Sequence, residues 1–153
     1  MTTSNTAAPQ QGGSWVQTGP LAFTHPLTRA DLIYEQISEV PTLTIPYAGV
    51  WEIAYNAHSN LALPSNGAVL LIRTALYKNG VIIEGSEAVS GIQSASGFGF
   101  QTTTGQTFLH TFAAQDQVDL YAHRQGPSAA VGGISSGGDG RTGVMAHYVS
   151  PGF

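Results

Sequence analysis

Hydrophobic and polar residues alternate through much of the chain beyond residue 31, the period-two pattern of strands with one face buried. From Gly49 to Ala57, Trp51, Ile53 and Tyr55 fall on one side and Glu52, Ala54 and Asn56 on the other. The strongest local signal runs from Leu70 to Glu84, where β-forming residues flank Asn79-Gly80, a pair whose tolerance of positive φ suits a type I′ turn. A two-residue loop there sets Lys78 opposite Val81 and Tyr77 opposite Ile82, with Leu76 and Ile83 sharing the other face. Phe108, His110 and Phe112 then alternate with Thr107, Leu109 and Thr111, and Val118, Leu120 and Ala122 with Asp119, Tyr121 and His123. Val144, Ala146 and Tyr148 mark a last strand within residues 142–149. Thr42 to Ile45 lies between Pro41 and Pro46, which makes it a short or edge strand because proline donates no ladder hydrogen bond. Gly91 to Thr104, with Ile92, Phe98 and Phe100 among Gly and Ser, reads as a weak, bulged strand.

Two stretches lack either periodicity. Residues 1–30 are rich in Thr, Ser, Gln, Gly and Pro, a composition that does not repay its ordering entropy by burial, and they read as an extended N-terminal arm. Trp15, Val16, Leu21 and Phe23 are its apolar residues. Residues 126–140, Gly-rich and Ser-rich, read as a long flexible loop. About eight to ten strands, no helix and no internal repeat predict an all-β sandwich or barrel over 31–153.

Composition narrows the functions. The chain has 153 residues, one domain's worth, with 5 Lys+Arg and 9 Asp+Glu. Charged residues make up 9 % against about 25 % in an ordinary domain, while 42 % are hydrophobic, a combination that excludes intrinsic disorder. A net charge of −4 with scattered basic residues argues against nucleic acid, whose phosphates need clustered Lys and Arg. Zero cysteines remove disulfides, thiolate metal sites and thiol nucleophiles. The first ten residues carry neither a basic nor an apolar signal region, and no run approaches a membrane span, so the expectation is a chain made in the cytosol without membrane insertion. A surface so poor in charge suits burial against identical copies, since interface cores are depleted in Lys, Glu and Asp.

The order of segments resembles the jelly roll of the tumour necrosis factor and complement globular-head family. The residues that carry the resemblance are Pro46-Tyr-Ala-Gly49-Val-Trp51-Glu-Ile53, Tyr77-Lys78-Asn79-Gly80, Phe108-Leu109, then Ala-Gln115-Asp116-Gln-Val118-Asp-Leu120 and a final strand, over about residues 31–149. Two positions depart: Gln115 replaces the family's glycine before Asp, and Val144-Met-Ala146 stands where Phe-Ser-Gly is usual. No Gly-X-Y stem precedes the domain. The resemblance implies a two-sheet antiparallel jelly-roll sandwich that forms a homotrimer, binds through its outer face and loops, and performs no chemistry.

Candidate chemistry is sparse. His25, His58, His110, His123 and His147 form no local metal motif, although His110, His123 and His147 sit on separate strands. Asp116, Asp119 and Asp139 suit turns and strand ends better than a calcium site. There is no Gly-x-Ser-x-Gly and no phosphate-binding loop, and the expectation is no enzyme, no cofactor and no metal. Together these readings give a virion protein: a bacteriophage capsid-decoration or tail-associated trimer. Trp15, Val16, Leu21 and Phe23 would contact the shell, Tyr77, Ile82, Tyr121 and Tyr148 the trimer partner, and Asp139 and Arg141 would mark the distal loop. The alternative is a receptor- or glycan-binding module using residues 126–140 and 58–66.

Overall fold

A computed structural model describes residues 14–152 and contains twelve strands among them, all paired antiparallel. They are β1 (Trp15–Gln17), β2 (Ala22–Pro26), β3 (Glu35–Gln36), β4 (Leu43–Thr44), β5 (Gly49–Leu63), β6 (Ala68–Lys78), β7 (Val81–Ile82), β8 (Ala88–Ser94), β9 (Phe98–Phe112), β10 (Gln117–Gln125), β11 (Val131–Gly137) and β12 (Gly143–Ser150). Several are fragments of one row. In the first sheet β12 and β11 lie end to end along one side of β5, β9 runs along its other side, and β1 and β2 continue outside β12 and β11. In the second sheet β10 and β6 form the centre, β3 and β4 pair with β10, and β7 and β8 pair with β6. The result is a two-sheet jelly-roll sandwich: the alternation of residues predicted a sandwich or barrel, and the family resemblance implied the jelly roll.

Why the sheets pack follows from the inward set. Trp51, Ile53, Tyr55, Ala57 and Leu61 of β5 meet Leu70, Ile72 and Leu76 of β6, Val118 and Leu120 of β10, and Ile134, Val144 and Ala146 of β11 and β12 in one buried cluster. Trp51, Tyr47 and Tyr148 close one end, with ring centroids 5.1 to 5.3 Å apart in edge-on or tilted contact, and the Trp51 indole donates to the Tyr47 carbonyl. The Asn79-Gly80 hairpin forms as expected: Tyr77 pairs with Ile82 and Lys78 with Val81, and φ is 51° at Asn79 and 83° at Gly80.

Three sequence expectations give way. The apolar residues of the arm are in the sandwich: β1 pairs with β12 and β2 with β11, so Val16, Leu21 and Phe23 pack against the core. The period-two signal was too short to see, because residues 18–21 interrupt the row between strands of 3 and 5 residues. Residues 1–13 of the arm lie outside the described residues. Within the 126–140 loop, Val131–Gly137 is a strand held on both sides, with Gly133 paired to Pro26 and to Asn60. Its glycines answer to close packing: a Cβ on Gly133 would lie 2.8 Å from the His25 carbonyl oxygen, and one on Gly132 3.0 Å from the Ile72 side chain. Finally, β5 continues to Leu63, so most of the 58–66 loop is strand. The weak segment from Gly91 to Thr104 divides into β8 and β9 around a turn at 95–97.

Candidate functional site

The outward face of the first sheet is built by the residues that alternate with its core positions. The register lays out one row of Trp15, His147, Glu52 and Leu109 and a second of Gln17, Met145, Ala54 and Thr107, with Val149 beyond them. Trp15 is 54 % exposed, Leu109 61 %, Met145 41 % and Val149 46 %, which makes this end of the sheet an open apolar surface. Among the strand residues of this face Glu52 is the single charged side chain.

Six to eight residues beyond Glu52 along β5, roughly 20 to 26 Å away at the usual strand rise, the same face changes character. There Thr24, Ser135, His58 and Thr103 align across four strands, and Pro26, Gly133, Asn60 and Gln101 form the neighbouring row. The Asn60 amide donates to Ser135 Oγ at 2.6 Å, and the His58 ring nitrogens lie 2.9 Å from Thr103 Oγ1 and 3.4 Å from Gln101 Oε1. His58 is buried, and its backbone N–H donates to the Thr142 hydroxyl. These rows line a groove of about 770 Å³ that includes Thr24, Pro26, Asn60, Gln101, Val131 and Ser135 and no charged residue. The sequence signal was present: Asn56, His58 and Asn60 continue the outward alternation of β5. Ending the strand at Ala57 hid it.

On the outward face of the second sheet Tyr77 and Tyr121 stack at 3.9 Å, and Tyr34 meets Tyr77 and His123 edge-on at 5.6 and 4.5 Å. The Tyr34 hydroxyl donates to Glu87; burial, then this bond and the Glu87 charge, push its ionisation far above the ordinary tyrosine range. Asp119 accepts from Gln36 and Thr42. These contacts fasten the segment before β3 and the edge of the sheet to β10.

The predicted site residues therefore separate. Tyr77, Ile82 and Tyr121 are on the second sheet's outward face, while Tyr148, expected at a trimer interface, is buried in the protomer's own core. The alternation of β12 explains this, since Tyr148 shares its side with Val144 and Ala146. Of the proposed shell contacts Trp15 alone is exposed. Asp139 and Arg141 form an ion pair with one another in the turn between β11 and β12. His110 accepts from Lys78 Nζ at 3.1 Å; burial, then the Lys78 charge, lowers its pKa. His25 lies between Glu39 and Glu35, its ring nitrogens 2.7 and 3.0 Å from their oxygens. Among the described residues no three His, Asp or Glu side chains cluster as metal ligands.

No family model and no curated protein matches the sequence. Solved structures do match the fold. The chain superposes on the structure of Eiger TNF from S. frugiperda with a TM-score of 0.50 and 9 % identity, over 88 % of this chain and 96 % of that one. At that identity the likeness is one of architecture: the protein has a tumour necrosis factor-like jelly-roll fold.

Proposed function

We propose that this protein is a non-enzymatic, homotrimeric jelly-roll module that serves as a structural component of a virus particle, decorating a phage capsid or tail. The observation that carries the assembly part is the apolar end of the first sheet's outward face, where Trp15, Leu109, Met145 and Val149 stand open around a lone charge, Glu52. A surface of this composition gains by association with a copy of itself. The particle is the setting inferred from a charge-poor sandwich with an assembly-prone face.

Shell contact moves with the structure. Val16, Leu21 and Phe23 stabilise the protomer, and the second sheet's tyrosine face remains for the shell to meet. Light scattering reads the first part: about 48 kDa, three copies of a 16.0 kDa chain, is expected. Leu109→Glu should return it to the protomer mass, because a carboxylate buried in an apolar contact is costly. Co-sedimentation with purified virus particles reads the second part, and Tyr121→Ala should weaken it while leaving the mass unchanged. A protomer mass at every concentration sinks the assembly reading, and a trimer that never sediments with particles sinks the decoration reading.

A further inference from the structure

The uncharged groove at the far end of the first sheet has the chemistry of a sugar site, and we propose that it binds a neutral saccharide. Ligand sites are concavities of several hundred Å³ with a few convergent polar groups on an otherwise apolar lining. The groove has that size, about 770 Å³. Its apolar part is Pro26, Leu61, Ala62, Phe100 and Val131, with Gly99 and Gly133 letting a ligand approach the backbone closely. Its polar part is Thr24, Asn60, Gln101 and Ser135, each supplied by a different strand.

Charge decides the ligand class. A phosphate, a carboxylate or a basic group would call for an opposite charge, and no charged residue lines this groove. Amides and hydroxyls match ligand hydroxyls instead, because each side offers both donors and acceptors. They are also held in place. Asn60 spends one amide hydrogen on Ser135 Oγ, which keeps its other hydrogen and its carbonyl oxygen for a ligand and frees the Ser135 hydroxyl proton to donate outward. His58, fixed by Thr103, contacts Gln101 through the carbonyl oxygen and so directs the Gln101 –NH₂ away from itself. His58 is thus a positioning residue, and the C–H face of a pyranose would rest on Pro26 and Val131.

The site lies within one protomer, so it does not depend on the trimer. Gly99 supplies the plug for a test: it lines the groove and a Cβ there meets nothing within 4 Å, so the Gly99→Leu side chain starts in open space. The experiment is ligand-observed NMR on the full chain with methyl α-glucoside, methyl α-galactoside and methyl α-mannoside, and with methyl α-glucuronide as the charged control. Weak binding by at least one neutral glycoside is expected, with a Kd on the order of 1 mM, together with weaker binding of the glucuronide. Gly99→Leu and Gln101→Ala should each weaken binding at least about tenfold, a loss of roughly 1.4 kcal/mol, with unchanged circular dichroism and unchanged mass. His58→Gln should weaken it less than Gln101→Ala, since Gln101 retains its own groups. Absence of binding by all three neutral glycosides at ~50 mM overturns the proposal. So does tighter binding of the glucuronide, or neutral binding that survives Gly99→Leu.

Discussion

Tyr55 is the residue on which the two sheets agree. Its hydroxyl, buried between β5 and β6, donates to the Ser86 carbonyl at 2.7 Å and lies 3.0 Å from Thr74 Oγ1, while Ser86 Oγ accepts from the Leu76 N–H. Tyr55→Phe keeps the ring and strips the hydroxyl, leaving buried partners unpaired. The expected cost is about 1–3 kcal/mol, read by urea unfolding; a change below ~0.5 kcal/mol would mean the network carries no stability. Burial pushes the phenol up to about 12 from its ordinary 10.0, outweighing the Thr74 hydrogen bond. A raised pKa contributes stability that is whole below the unfolded value and is lost as pH rises through the folded one. The phenolate absorbance difference between wild type and Tyr55→Phe should therefore stay flat through pH 10 and grow only towards about 12. Glu39 has the opposite sign. Burial would raise its pKa, but the hydrogen bond from His25, its own backbone N–H and the His25 charge together hold it below the usual 4.5. Its contribution is present above that value and fades as pH falls below it, so Glu39→Gln should lower stability at neutral pH and leave the acid end nearly unchanged, which flattens the acid limb of a stability profile.

At the scale of elements, the β6–β7 hairpin shows why some of this fold could be read directly from residues. Asn79 and Gly80 both adopt positive φ, and the Asn79 side chain also donates to Asp116 and accepts from the Gln117 N–H, tying the turn to β10. Gly80→Ala should cost about 1–2 kcal/mol for the left-handed backbone. Asn79→Ala should cost more, because it loses two hydrogen bonds as well; an equal or smaller loss by chemical denaturation would show those bonds to be idle. Where apolar residues alternate for five or more positions, as in the middle of β5 and in β10, the strand and its inward face were legible. Legibility failed where a tertiary partner, not local propensity, makes the strand. In β11 Ile134 is the lone large apolar residue towards the core, and the glycines around it fit because β2 and Ile72 crowd them. The far half of β5 presents His58, Ser59 and Asn60, a polar run that reads as loop, yet Ser59 is fully buried. The groove is assembled from just these stretches: Asn60 and Ala62 lie within 58–66 and Val131, Gly133 and Ser135 within 126–140, the two segments expected to contact sugar, although they are strands and not the loops the sequence suggested. The apolar end of the same sheet escaped for a related reason: Trp15 was assigned to an arm, and Met145 and Leu109 matter only once the register sets them in adjacent rows.

For the whole molecule, the question is what would hold copies together in the proposed assembly when the chain carries so few charges. Of its 14 charged residues, several are already spent inside the protomer: Arg124 against Asp31, Arg141 against Asp139, and Glu35 and Glu39 against His25. The proposed assembly through the Trp15–Leu109 end of the first sheet would then rest on apolar burial, with Glu52 inside the patch between His147 and Leu109. Two consequences separate this from charge-driven association. Adding salt to 0.5 M should leave the mass of the assembly unchanged, because screening acts on ion pairs at roughly a Debye length and apolar contacts do not depend on it. Thermal stability should rise with protein concentration, because a ligand that binds only the folded state stabilises it by mass action and here each copy is the other's ligand. The Tm of the wild type, measured by calorimetry over a hundredfold range of protomer, should climb by several degrees, while that of Leu109→Glu stays level. A wild-type Tm that ignores concentration, at a mass of one chain, would show that the open apolar end faces water in solution and that copies of the protein do not cover it.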